Sequence, residues 1–142
     1  MKFTVTQGNK VEEPVTFEDL LEEFKEGVLE NIEDEDYGSH YDLGITYKEM
    51  GLLDEAILEF EKASQGENIK LKSIELLADC LIEKGNIVEA EKTIKNALTL
   101  NGHKENEFLG LKYNLALIYE RTNKNEEAFQ LFKDILKTDA SF

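Results

Sequence analysis

The feature that most constrains this chain is that its sequence repeats itself. Leu43-Gly44, Tyr47, Gly51, Ala56, Phe60 and Ala63 recur thirty-four residues later as Leu77-Ala78, Leu81, Gly85, Ala90, Ile94 and Ala97. Thirty-eight residues further on stand Leu115-Ala116, Tyr119, Asn123, Ala128, Phe132 and Ile135, the four extra residues falling around Glu105 to Phe108. Periods of this length mark supersecondary units that cannot bury an apolar face alone and gain a core by stacking. The expected fold is therefore a linear array.

Each unit reads as a pair of helices. In the first, 40–50 is one amphipathic run and 54–64 a second, with Gly51 between them. Gly51 and Gly85 sit where a helix must end in the left-handed conformation, and Asn123 is the next best residue for that geometry. Gly44, Ala78 and Ala116 let the helices of a pair approach, with Ala56, Ala90 and Ala128 doing the same from the second helix. Phe60, Ile94 and Phe132 are expected to fill the space between neighbouring units.

Charge narrows the function. Thirty-one acidic residues against sixteen basic ones give a net charge of −15 in 142 residues. Phosphate backbones and anionic membrane surfaces need a basic face, so neither nucleic acid nor membrane is an expected partner. A basic or mixed-charge protein is favoured on encounter. One cysteine, Cys80, forms no intramolecular disulfide, and two histidines with one cysteine speak against a zinc site. No apolar run of membrane-spanning length is present. A cytoplasmic protein without cofactor or metal is expected.

The repeat pattern resembles the tetratricopeptide repeat over about residues 37–139, in units starting near Tyr37, Leu71 and Leu109. That family carries a large aromatic at the fourth position, where His40, Ile74 and Lys112 stand here. The first unit, through Tyr41 to Gly51, looks like repeats from multidomain bacterial proteins. The resemblance implies an all-α, right-handed superhelical α-solenoid of three such pairs, about 37–70, 71–104 and 109–140. Together with one N-terminal helix, 16–31, they would form a single domain over 16–142.

That N-terminal helix is read from Thr16 as N-cap, with Asp19 completing a capping box, and from Phe17, Leu20, Leu21, Phe24, Val28 and Ile32 on one face. It is expected to cover the exposed end of the first repeat. Residues 1–15 read as a flexible or partly extended lead, with a turn at Gly8-Asn9. Glu33 to Asp36 form an acidic linker. Only 138–142 follow the last pair, too few for a capping helix, so a partly apolar side with Phe129, Phe132, Leu136 and Phe142 is expected. A fragment of a longer protein, a tolerated end, or a face pairing with another chain all satisfy this, and the expected state is a monomer or weak homodimer through that face.

The resemblance further implies a concave groove lined by the first helix of each pair, which accepts peptide segments. Carried over position by position, its lining is Tyr41, Ile45 and Lys48, then Lys72, Glu75, Asp79 and Ile82, then Tyr113, Asn114, Leu117, Glu120 and Arg121. Tyr41 and Ile45 could instead pack against the N-terminal helix. One family subtype grips a C-terminal carboxylate with lysine, asparagine and arginine. Here Asn114 alone matches, and Glu75 and Asp79 repel such a ligand, so that mode is excluded. The groove reads as aromatic and aliphatic anchors around an acidic centre, suited to a peptide with apolar residues and a lysine or arginine.

No catalytic constellation is legible. Cys80 falls inward as a small hydrophobe, His40 packs near a helix start, and His103 is expected to face solvent. The expected function is a protein-interaction or scaffolding module without catalysis. The alternative is a spacer or homo-oligomerisation segment of a larger multidomain protein.

Overall fold

The computed structural model describes residues 2–3, 6–7, 10–11, 15–31 and 35–140. The expectations on Gly8-Asn9, Ile32, Glu33-Asp34 and Phe142, and on the Val28 side chain, lie outside the described residues. The chain divides into two compact units, 1–34 and 35–142.

In the first unit, β1 (Lys2–Phe3) pairs antiparallel with β4 (Val15–Thr16), and β2 (Thr6–Gln7) with β3 (Lys10–Val11). Helix α1 (Phe17–Asn31) follows directly. Its start is a reciprocal capping box: Asp19 N donates to Thr16 Oγ1 and Thr16 N to Asp19 Oδ2, both at 3.2 Å. Two otherwise orphaned amides are thereby satisfied.

The second unit is the repeat array. Its pairs are α2 (Tyr37–Glu49) with α3 (Leu53–Ala63), α4 (Lys70–Lys84) with α5 (Ile87–Ala97), and α6 (Leu109–Arg121) with α7 (Asn125–Ala140). Short 3-10 turns at Glu67–Ile69 and Glu105–Phe108 lead into α4 and α6. Successive pairs stack, α3 on α4 and α5 on α6, and α4 also touches α6. This is an α-solenoid of three helix pairs.

The sequence punctuation works as the residue types require. Gly51, Gly85 and Asn123 have φ of 79°, 87° and 63°, and Asn123 is the sole non-glycine with positive φ among the described residues. At each stop the next amide reaches back to the helix: Leu52 N to Tyr47 O at 2.9 Å, Asn86 N to Leu81 O at 2.8 Å, Lys124 N to Tyr119 O at 2.8 Å. Three helices thus end in the same left-handed cap, which turns the chain back for the second helix of the pair.

Small residues set the approach inside a pair. A Cβ on Gly44 would lie 2.6 Å from the Phe60 ring. Phe60 is fully buried, and its ring also meets Tyr41 edge-on at 6.0 Å. The ring therefore fills space within its own pair, because the missing Gly44 side chain leaves the room there. Ala56, Ala78, Ala90 and Ala116 are all fully buried, and Ala128 nearly so. The buried polar residues include His40 and Glu59. His40 Nδ1 lies 2.5 Å from Glu59 Oε2, joining α2 to α3 inside the first pair. His103 is not solvent-facing as expected: its ring packs edge-on against Phe108 at 5.8 Å, and its side chain is 17% exposed.

Candidate protein-binding groove

The first helices α2, α4 and α6 place three rows of equivalent positions side by side. One row is Tyr41, Glu75 and Tyr113. The next is Ile45, Asp79 and Leu117, and a third is Lys48, Ile82 and Glu120. Helical spacing puts the residues of each helix three and four apart on one face. The flanking repeats thus offer tyrosine with isoleucine or leucine, where the middle repeat offers two carboxylates.

The electrostatics show which of these residues are neighbours. Burial raises the Tyr41 phenol above its usual range, and Glu75 across the junction raises it further. Asp79 is raised by burial, against which Lys48 from α2 and the Asn114 amide from α6 favour its charged form. Glu75 is raised first by burial and then by Asp79, one turn along α4, while Lys72 opposes this. Residues of all three first helices therefore converge on Glu75 and Asp79. Lys48 Nζ also lies 3.4 Å from Glu83 Oε1. Asn114 is 7% exposed, and its Nδ2 is buried without a well-formed hydrogen bond.

The remaining groove positions differ in what they offer. Tyr113 is half exposed and stands edge-on to Phe132 at 6.1 Å, repeating the Tyr41–Phe60 geometry. Ile45, Ile82 and Leu117 are partly buried, while Lys72, Glu120 and Arg121 are exposed. Glu120 and Arg121 lie in the last turn of α6, and no hydrogen bond or ion pair among the described residues joins them to the acidic centre. Cys80, next to Asp79 on α4, is fully buried, and burial pushes its thiol up to about 11.

Beside the groove opens a cleft of about 680 Å³, between the start of α4 and the connection to α6. Glu75 belongs to its lining as well as to the groove centre. Sequence reading showed that this connection is longer by four residues, but not the cleft. The signal was there in Gly110, a glycine near the start of a helix with no capping duty.

Similarity to known proteins follows the same repeats. Residues 37–65 and 109–142 match the family model described as tetratricopeptide repeat. The chain carries tetratricopeptide repeats. The middle pair lies between the matched segments and shares their left-handed cap and small-residue packing. Among solved structures, a kinesin-light-chain-type protein of Podosopora anserina with nearly identical TPR-like repeats is 21% identical, with a TM-score of 0.64 over 87% of this chain. MamA is 17% identical, with a TM-score of 0.66 over 89% of it. This chain spans 65% of the first structure and 70% of the second, and likeness at these identities shows the fold alone. Comparison with curated proteins finds no match.

Proposed function

We propose that this chain is a protein-interaction or scaffolding module whose groove binds a partner segment carrying a basic residue between apolar ones. Tetratricopeptide repeats support the general class. The observation that carries the finer reading is the break in the groove's own pattern. Glu75 and Asp79 replace, in the middle repeat alone, the tyrosine and aliphatic residue that both flanking repeats keep. Carboxylates half withdrawn from water favour a cationic partner, and tyrosines on either side supply rigid contact area. The reading includes no catalysis. Among the described residues no group of histidine, cysteine and carboxylate side chains could hold a metal, and no helix is long and apolar enough to cross a membrane. A cytoplasmic setting is part of the proposal and agrees with a free, buried thiol at Cys80.

Selection from a random peptide library on the immobilised chain tests it. Enrichment of lysine or arginine flanked by apolar residues is expected, with the double variant Glu75→Lys/Asp79→Lys losing that preference. Unchanged selection by the double variant would place binding elsewhere.

A second reading, self-association, is favoured by α7. Phe129 and Leu136 are 60% and 68% exposed, and Phe132 is only partly covered where its equivalents Phe60 and Ile94 are fully buried. Sedimentation velocity at high concentration separates the two: a clean monomer removes the second.

A further inference from the structure

The connection between the second and third pairs is longer by four residues of repeat spacing than its predecessor, and like it ends in a 3-10 turn, Glu105–Phe108. One wall of the adjoining cleft carries Asn68, Lys72 and Glu75, and the other Asn101, Asn106 and Glu107. Gly110 also lines it, and any Cβ there would run into the Glu75 carboxyl group. A glycine there lets that carboxylate lie across the cleft.

Two properties of the lining point to the kind of ligand. The Glu75 carboxylate has no ion pair or hydrogen bond to any described residue, although it is partly removed from water. Lys72 favours its charged form from nearby, but that side chain is exposed. The facing wall carries one held carboxylate and two exposed amides. Glu107 Oε2 accepts from Lys104 N at 2.7 Å and lies 3.3 Å from His103 Nδ1, while Asn101 and Asn106 add amides whose carbonyls are able to accept. Acceptors on two opposed walls suit a planar cation with donors along several edges. An ammonium concentrates its donors at one strongly hydrated point and satisfies one wall.

We infer that this cleft receives an arginine side chain, its guanidinium lying between Glu75 and the Asn101–Asn106 wall. As the source of that arginine the inference takes the partner segment of the groove reading. The preference for a guanidinium stands on the cleft's own lining.

The test uses the full chain, labelled with ¹⁵N, titrated at physiological salt with N-acetyl-arginine amide and N-acetyl-lysine amide. Saturable shifts are expected at the backbone amides of Gly102, Asn106 and Gly110, with the lysine probe about tenfold weaker for want of the second charge-assisted contact. Glu75→Gln keeps the shape and should weaken the arginine probe by about the same factor. Gly110→Ala, with its fold checked by circular dichroism, should do likewise by displacing the carboxyl group. Equal binding of both probes, shifts spread evenly over the acidic surface, or an unaffected Glu75→Gln would each overturn the inference. If the peptide library still selects basic segments through Glu75 and Asp79 in that event, the groove reading stands and the cleft alone falls.

Discussion

The fourth position of the three repeats is filled in three ways, and the first and last make an informative pair. His40 is 1% exposed and held by Glu59, itself 7% exposed, at 2.5 Å. Lys112, at the equivalent place in α6, reaches Asp134 at 2.8 Å and Glu105 at 3.3 Å, and both carboxylates stand in water. Between them Ile74 fills the slot with hydrocarbon. A polar pair sealed inside a helix pair must be complete, since a lone survivor loses water and gains nothing. A lysine bonded to exposed carboxylates can lose a partner and hydrate the remainder. The same slot is therefore a vulnerable point in the first repeat and a tolerant one in the third.

The sharpest way to break this contrast is Glu59→Ala, which removes the buried carboxylate that His40 faces in the core. A loss of about 1–3 kcal/mol in unfolding free energy is expected from urea denaturation. Replacing both groups by the middle repeat's own residues, His40→Ile with Glu59→Thr, should recover most of that loss, because no unpaired polar group remains from the pair. A double variant as unstable as Glu59→Ala would mean that the pair itself, and not its completeness, holds the first repeat. Next in size is Lys112→Ile, expected to cost under about 1 kcal/mol by the same measurement. Burial lowers the Lys112 ammonium, but its bonds to Asp134 and Glu105 outweigh this and raise it above 10.5. Its contribution is thus present at neutral pH and fades only as pH climbs past that value.

The smallest effect separates stability from binding in the middle repeat. Glu75 and Asp79 are held above 4.5 and 3.8, so the folded chain keeps their protons more tightly than the unfolded one. Their ionisation therefore erodes stability as pH rises through the window just above those values. Glu75→Gln with Asp79→Asn should flatten this slope in denaturation curves taken across mildly acidic pH. Affinity for a basic peptide should move the opposite way, strengthening over the same window. Parallel pH trends for stability and binding would contradict the assignment.

The architecture was legible because its determinants are local. A left-handed cap needs one glycine or asparagine, and Gly51, Gly85 and Asn123 stand at spacings that also repeat the alanines. The capping box of α1 needs only Thr16 and Asp19, three residues apart. His40 and Glu59 could not be paired by such reasoning, since nineteen residues and a turn separate them. A hint was nevertheless available: Glu59 lies on the apolar stripe of Ala56, Phe60 and Ala63, and a carboxylate in such a stripe demands a partner. The acidic centre of the groove was visible as residues, Glu75 and Asp79, once the repeats were aligned. The cleft beside it was not, because four inserted residues announce a longer connection without saying which walls it faces.

Cys80 carries one more consequence. Its thiol is fully enclosed by α4's packing, and with its proton held up to about 11 it is almost wholly un-ionised at neutral pH. Alkylating reagents react with exposed thiolate. Labelling of this single thiol therefore proceeds only through openings that bare the middle helix pair, and its rate counts those openings. The chain thus carries its own stopwatch for the motion that separates one repeat from the next, placed in the pair that both of its neighbours must release.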